Sequence, residues 1–227
     1  MNTFQLMRSK LSLTGFYTAT KFKLDFKREH PEYFDPDGIM VFCGPQGSGK
    51  TLSMVNYAYE VATFYPECLI VTNVELKNFP HPERIFKYKD VKDLVNYSNG
   101  YKGVLYLIDE MHLLFNSLMS KDIDFSVFQE ISQQRKQRKH IVGTSQVFQR
   151  LAKPFREQFK YAVLCRKICG VIQYNTIIDG ATAVEDSEGH ITCDNIKRVF
   201  NIHTPEQYNR YDTYAKVKAA DLKGVKK

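Results

Sequence analysis

The chain has 227 residues, a length that suits one α/β domain with an elaboration and argues against two independent cores. Hydrophobic residues make up 43% and charged residues 25%, which is ordinary globular usage and excludes general disorder. The 32 Lys and Arg residues exceed the 25 Asp and Glu residues, giving a net charge of +7. This excess favours a polyanionic partner or an anionic membrane surface, and ordinary solubilising charge explains it equally well.

The sequence carries no evident membrane span, leader or disulfide framework. No segment approaches the roughly 18 to 20 uninterrupted apolar residues of a spanning helix, and the stretch before Arg28 lacks a signal peptide's apolar run. We therefore expect a cytoplasmic protein. The five cysteines are odd in number and lack paired CxxC spacing, so we expect free thiols and no zinc site.

The N-terminal part of the chain leads into a strand, a loop and a helix. Residues 1–37 are mixed basic and aromatic sequence that ends in a turn-rich segment, and we interpret them as an arm before the core domain, 38–216. The apolar run Ile39–Cys43 predicts a strand, which a glycine-rich turn connects to a helix over Thr51–Phe64. At the other end, 217–227 is predicted to be a basic, solvated tail.

The middle of the chain contains two further apolar runs. Leu69–Val74 is β-branched and apolar and predicts a buried strand, and the proline-containing stretch NFPHPERIFKYKD after it predicts a loop or insertion. Val91–Tyr97 is compatible with a short helix that closes at Asn99-Gly100. Val104–Ile108 predicts a strongly apolar strand that ends in two acids.

The later part continues the alternation of helices and strands. A helix is predicted over Phe125–Lys139 with a basic end, followed by a strand over His140–Ser145 and a helical stretch over Val147–Phe159, kinked near Pro154. The segments YAVLC and VIQYNTII predict two strands separated by the Gly170 turn. This alternation predicts an α/β fold of three layers, with a mainly parallel central sheet flanked by helices.

An octapeptide between the first predicted strand and helix fits GxxxxGK[ST], the Walker A pattern of P-loop proteins, at every fixed position. Such a loop turns successive backbone N–H groups inward at the positive end of a helix, where they bind triphosphate oxygens. We expect Lys50 to reach the β and γ phosphates and the Thr51 hydroxyl to ligate Mg²⁺. No guanine-reading NKxD pattern is evident, which favours ATP. The predicted nucleotide-binding residues are Gly44, Pro45, Gln46, Gly47, Ser48, Gly49, Lys50 and Thr51.

Two adjacent carboxylates follow the apolar strand Val104–Ile108. Ligands of α/β proteins bind at the carboxyl ends of strands, where Asp109 is placed to hold the magnesium shell. Glu110 is the natural base to orient and polarise the attacking water. A protein that only gripped a nucleotide would need the first acid and not the second. The pair therefore favours hydrolysis.

Further candidates lie around the strand His140–Ser145. Gln146 follows that strand and could sense the γ-phosphate, with a simple turn residue as the alternative. Four arginines flank the strand, and we expect Arg135 to be a finger that neutralises transition-state charge in a neighbouring subunit. A solvated helix end or a contact to DNA phosphates explains the basic run as well. The four arginines are Arg135, Arg138, Arg150 and Arg156.

These residues resemble the ATPase domains of zonular occludens toxin-like (Zot) proteins, the morphogenesis ATPases of filamentous phages, within the FtsK/HerA class. The resemblance runs over Gly38–Lys216. It departs from the family at Lys136, where the family commonly has His, and at His140, where it commonly has an acid. The motifs that carry it are GPQGSGKT, LIVTNV with Thr72-Asn73, LIDEMHLLF, the spacing from Arg135 to Gln146, and YNRYDTYAK near Tyr211.

The resemblance implies an ATPase of a virus or mobile element that forms a homo-oligomeric ring and uses ATP and Mg²⁺. Typical Zot-type proteins continue into a membrane-spanning helix and an exported domain. Because this chain shows neither, we expect a compact motor for DNA translocation, genome packaging or virion assembly, cytoplasmic in the host or associated with a virion or membrane. One alternative is a phage export ATPase acting on coat protein at the membrane, and another is a nucleotide-gated assembly switch.

Overall fold

The computed structural model describes residues 13–35, 38–113, 133, 136–146, 158–182, 184–185, 191–192 and 194–212. The strands in these ranges are β1 (Ile39–Cys43), β2 (Leu69–Thr72), β3 (Ile85–Lys87), β4 (Val104–Ile108), β5 (Lys139–Ser145), β6 (Phe159–Ile168), β7 (Ile172–Asp179), β8 (Val184–Glu185), β9 (Ile191–Thr192) and β10 (Asn195–Ile202). The α-helices are α1 (Leu13–Glu29), α2 (Lys50–Phe64), α3 (Asp93–Asn96) and α4 (Pro205–Tyr208).

Eight of the strands form one sheet in the order β10-β7-β6-β1-β5-β4-β2-β3, and β8 pairs with β9 separately. Neighbouring strands in the series β6-β1-β5-β4-β2-β3 all pair in parallel. Strand β5 lies between β1, which leads into the glycine-rich loop, and β4, which ends before the two acids. Because parallel strands have their carboxyl ends at one edge, the loop, the acids and the end of β5 share that edge.

Apolar side chains pack against both faces of this sheet. Helix α2 buries Met54 and Val55 in a cluster with Phe42 of β1 on one face. Leu94 of α3 and Tyr106 of β4 belong to the cluster on the other face. Full burial of a side chain of this kind stabilises the fold by about 1.5–3 kcal/mol. The prediction of a mainly parallel α/β sheet with helices on its faces is confirmed.

Strands β6, β7 and β10 extend the sheet beyond β1 with antiparallel pairings. Side chains along β7 alternate between the faces. Gln173 is directed toward the α2 side, where it contacts the Ser48 carbonyl, and Tyr174 packs on Phe200 at the opposite face. After β10 the chain crosses α2, where the Arg210 guanidinium lies 3.6 Å from the centre of the Tyr59 ring.

The N-terminal arm contains α1, a helix that sequence reasoning did not predict. Its last turn carries Phe26, which packs on Tyr33, and Tyr33 in turn stacks on Tyr101 of the domain. Phe34 is buried, and Gly103 lies so close to its ring that a Cβ at this glycine would overlap it. This N-terminal segment is thus attached to the sheet-containing part of the chain by an aromatic cluster. No helix among the described residues combines the length and apolar character needed to cross a membrane.

Three sequence expectations are wrong in detail. The stretch NFPHPERIFKYKD contains the edge strand β3, which pairs with β2. The basic helix does not extend to Lys139, which belongs to β5 and is only 2% exposed, with Nζ donating to the Leu94 carbonyl at 2.8 Å. Phe159 begins β6 and is not helical. The rest of the two predicted helices at 125–135 and 147–157 lies outside the described residues, apart from the helical Gln133.

The thiols of the described cysteines are mostly buried. Cys43, Cys68 and Cys165 pack in the core, while Cys169 is exposed at the turn between β6 and β7. Burial raises the pKa of the Cys165 thiol to about 12, and burial also raises the pKa of Cys43. These two groups flank the glycine-rich loop as neutral, apolar packing residues.

Candidate nucleotide-binding site

The glycine-rich loop connects the buried strand β1 to α2. Gly49 caps the N-terminus of α2 with a φ of 84°, a left-handed conformation that favours glycine. Gly44 is needed for space, because a Cβ there would lie 2.6 Å from both the Cys165 carbonyl and the Ser48 hydroxyl. The local sequence therefore sets the path of the loop, and the loop delivers the N-terminus of a 15-residue helix to the sheet edge.

Lys50 and Thr51 occupy the first turn of α2. The Lys50 ammonium is buried and donates a hydrogen bond to the Pro45 carbonyl at 3.0 Å, so its charge lies across the loop. The Thr51 hydroxyl donates to Asp109 Oδ1 at 3.2 Å, although the two residues are 58 positions apart in the chain. The fold thus brings together the two residues that the sequence predicts as magnesium ligands.

Hydrogen bonds from two neighbouring strands fix the position of Asp109. The Thr144 hydroxyl of β5 donates to Asp109 Oδ1 at 2.5 Å. On the other side, Asn73 directly follows β2 and accepts from the Asp109 N–H at 2.8 Å while donating to the Asp109 carbonyl at 3.0 Å. Side chains on both sides of β4 therefore hold Asp109 next to the first turn of α2.

Glu110 adopts a backbone conformation that is rare for residues other than glycine, with a φ of 54°. Its N–H donates to the Thr144 hydroxyl at 3.0 Å, which stabilises this turn. Its carboxylate Oε2 lies 3.2 Å from His112 Nδ1 without the alignment of a hydrogen bond. Both atoms are buried and lack a hydrogen-bond partner among the described residues. A buried carboxylate oxygen that lacks a hydrogen-bond partner at this edge is suited to accept a proton from a bound molecule.

A family model for the zonular occludens toxin (Zot) matches residues 38–216, most of the chain. The chain belongs to the Zot family. A comparison with curated proteins gave no match. This assignment confirms the resemblance inferred from the sequence motifs.

Solved structures that are similar to this chain include a protein of the Zot family. The N-terminal domain of zonular occludens toxin from Neisseria meningitidis shares 15% identity with a TM-score of 0.54, covering 77% of this chain and 98% of that one. A second solved structure, an ATPase domain, shares 9% identity with a TM-score of 0.50, covering 89% of this chain and 99% of that one. A genome-packaging NTPase, B204 from Sulfolobus turreted icosahedral virus 2, shares 13% identity over 70% of this chain and 97% of that one, with a TM-score of 0.47.

The site of this Zot-family chain fits a magnesium-bound triphosphate. Ser48 Oγ is buried in the loop and has no hydrogen-bond partner in the described part of the chain, so a donor is available where phosphate oxygens would lie. Mg²⁺ commonly takes one or two carboxylates together with substrate phosphates. Asp109 supplies such a carboxylate, and the adjacent Thr51 hydroxyl offers a further oxygen. The described residues contain no cluster of three or more His, Cys, Asp or Glu that could hold a metal by itself.

The remaining predicted residues of this Zot-family site have different outcomes. Gln146 directly follows β5 and is half-buried at the shared edge, between the ends of β1 and β4. Arg138 lies at the opposite end of β5, where its Nη1 donates to the Phe34 carbonyl at 2.7 Å. Arg135, Arg150 and Arg156 lie outside the described residues.

Sequence reasoning assigned no role to Asn73 and Thr144. Thr72-Asn73 supports only the family resemblance, and in the segment Gly143-Thr144-Ser145-Gln146 the predicted role belongs to the glutamine. The position of these two residues in the sequence is the signal that could have identified them. Both residues are polar and stand at the ends of apolar strands, and the sheet order places those strands on either side of β4.

Proposed function

We propose that this Zot-family chain is a Mg²⁺-dependent ATPase of a virus or mobile element, which couples ATP hydrolysis to DNA translocation, genome packaging or virion assembly. The observation that carries the proposal is the Thr51–Asp109 hydrogen bond, because it joins the glycine-rich loop to the acid pair. A second carboxylate, Glu110, follows directly and has a buried oxygen without a hydrogen-bond partner among the described residues. This combination supports hydrolysis over simple nucleotide binding.

The proposed chemistry divides among four side chains. The loop amides and Lys50 bind the phosphates, while Thr51 and Asp109 hold the metal ion. A bound Mg²⁺ supplies charge neutralisation at the phosphate oxygens. Glu110 orients the attacking water and accepts its proton. The contact of Thr144 with both acids supports a role in keeping them aligned.

We also propose that the active form is a homo-oligomeric ring. Charge developing on the transferred phosphoryl group is commonly neutralised by an arginine, and Arg135 is our candidate to supply it from a neighbouring subunit. Gln146, at the shared strand edge, is proposed to sense the γ-phosphate. The hydrogen bond of Arg138 to the Phe34 carbonyl argues against that residue as the finger.

DNA is the proposed substrate of translocation because the chain carries a net charge of +7.

Export of coat protein at a membrane is the second candidate function, and helix α1 is the observation in its favour. Tyr17 and Phe22 are 67% and 71% exposed on this helix and stand among the basic residues Lys21 and Lys23. Aromatic and basic side chains together suit a membrane interface.

The experiment that tests the proposal is the rate of ATP hydrolysis with and without double-stranded DNA, over a range of protein concentrations. A DNA-translocating ring predicts stimulation by DNA and a rate that rises more than linearly with protein concentration. Stimulation by anionic vesicles and not by DNA would favour the export motor. A slow rate that neither DNA, vesicles nor concentration changes would favour the assembly switch.

A further inference from the structure

Gln173 of β7 lies directly behind the phosphate loop and plays no part in the function proposed above. It is only 2% exposed. Its Nε2 donates to the Ser48 carbonyl at 3.0 Å and to Asn175 Oδ1 at 2.8 Å. A buried polar side chain of this size requires a full set of partners, because an unsatisfied buried amide is costly.

The loop touches Gln173 at a second point. A Cβ on Gly49 would overlap the Gln173 amide oxygen, so the loop lies against this side chain with no intervening space. Two residues further along β7, Asn175 Nδ2 donates to the Ser53 hydroxyl at 3.1 Å. Strand β7 therefore contacts both the loop and the first turns of α2 through amide side chains.

A hydrogen-bonded chain continues from Gln173 toward the protein surface. Gln173 Oε1 lies 3.2 Å from His203 Nε2, and His203 Nδ1 lies 2.6 Å from the Tyr208 hydroxyl. Lys167 Nζ then donates to the Tyr208 oxygen at 3.4 Å. The chain runs from the phosphate loop to α4 and the end of β6.

The direction of each hydrogen bond in this chain follows from one fixed point. The Ser48 carbonyl can only accept, so the Gln173 NH₂ group faces it and the Gln173 amide oxygen faces His203. His203 must then carry its proton on Nε2, which leaves Nδ1 to accept from the Tyr208 hydroxyl. Burial lowers the pKa of His203, and the nearby Lys167 lowers it further, in agreement with this neutral tautomer.

We infer that Gln173 is a positioning residue for triphosphate binding, and that His203 fixes the orientation of its amide. This inference rests on the proposed function. A carbonyl turned toward the phosphates would place an acceptor against anionic oxygens. By giving the Ser48 carbonyl a buried donor on the β7 side, Gln173 stabilises the loop conformation that leaves N–H groups for the phosphates.

The test compares Gln173→Met with the control Thr176→Val in the full chain, using the Kd for Mg²⁺-ATPγS and the steady-state constants for ATP. Met has nearly the volume of Gln and no amide, and Thr176 is on the opposite face of β7. Loss of the buried hydrogen bond should raise Kd and KM about tenfold and change kcat less than about twofold. Thr176→Val should match the parental protein in Kd, KM and kcat.

A second variant covers the case in which Gln173→Met fails to fold. His203→Phe keeps an aromatic ring beside Tyr208 and removes the donor to Gln173, so we expect a Kd about threefold higher. A parental Kd in folded Gln173→Met or in His203→Phe would overturn the inference, as would a fall in thermal stability with no change in Kd. If the parental protein itself failed to bind ATPγS, the proposed function and the inference would both fall.

Discussion

At the scale of single residues, Asp109 is the best-defined group of the site. Two hydroxyls donate to its carboxylate and Asn73 pairs with its backbone on both sides. Such outer partners determine whether a metal-binding carboxylate is in the right place, and their loss commonly reduces metal affinity or activity 10–100-fold. The site therefore depends on residues beyond the glycine-rich loop and the two adjacent acids.

Thr144→Val tests this dependence. Val preserves the shape of the fully buried side chain but removes the hydroxyl that donates to Asp109 and accepts from the Glu110 N–H. We expect ATP turnover to fall about 10–100-fold, measured as kcat over a Mg²⁺ titration. Thr144→Ser keeps the hydroxyl and is the matched control, which should retain most of the parental rate. Equal rates for the Val and Ser variants would contradict the role assigned to the hydroxyl.

At the scale of elements, the sequence predicts most accurately the strands that are buried in the core. Strands β1 and β4 are buried along their whole length and read as uninterrupted apolar runs, so their bounds were predicted correctly. Strand β3 is three residues long and exists through its pairing with β2, and β10 is mostly exposed. Pairing partners of this kind are not visible in local composition.

Lys139 is a buried residue within a segment whose composition suggests an exposed basic surface. In sequence it belongs to the basic segment Arg135–Lys139, yet it extends inward from β5 to the Leu94 carbonyl, while the neighbouring turn exposes Lys136. We expect Lys139→Glu to lower the free energy of unfolding by about 3 kcal/mol or more, because an unpaired acid would be buried. Lys136→Glu should change it by less than about 0.5 kcal/mol.

Chemical denaturation of the two variants measures this difference. Equal stabilities would contradict the buried position of Lys139.

The same comparison determines which variant can probe DNA binding. Only Lys136→Glu removes a positive charge without disturbing the fold, and it should make the log–log salt dependence of DNA affinity shallower by about one unit.

At the scale of the whole molecule, the proposed ring implies that one subunit completes the site of the next. Equimolar mixing of Glu110→Gln with Arg135→Ala tests this, because the first variant still offers the arginine and the second still offers the base. We expect turnover in the mixture to exceed the sum of the two separate variants. A mixture no more active than its components would place the arginine and the base in the same subunit, or remove Arg135 from the reaction.

The most direct test of the central claim, hydrolysis of ATP with Glu110 as the base, compares ATP binding and turnover in Glu110→Gln and Lys50→Ala. Glu110→Gln should bind Mg²⁺-ATP within about threefold of the parental protein and lose about 10²–10⁴-fold in kcat. Lys50→Ala should lose binding itself, because a charge-assisted phosphate contact is removed. Hydrolysis of ATP by Glu110→Gln at the parental rate would exclude Glu110 as the base.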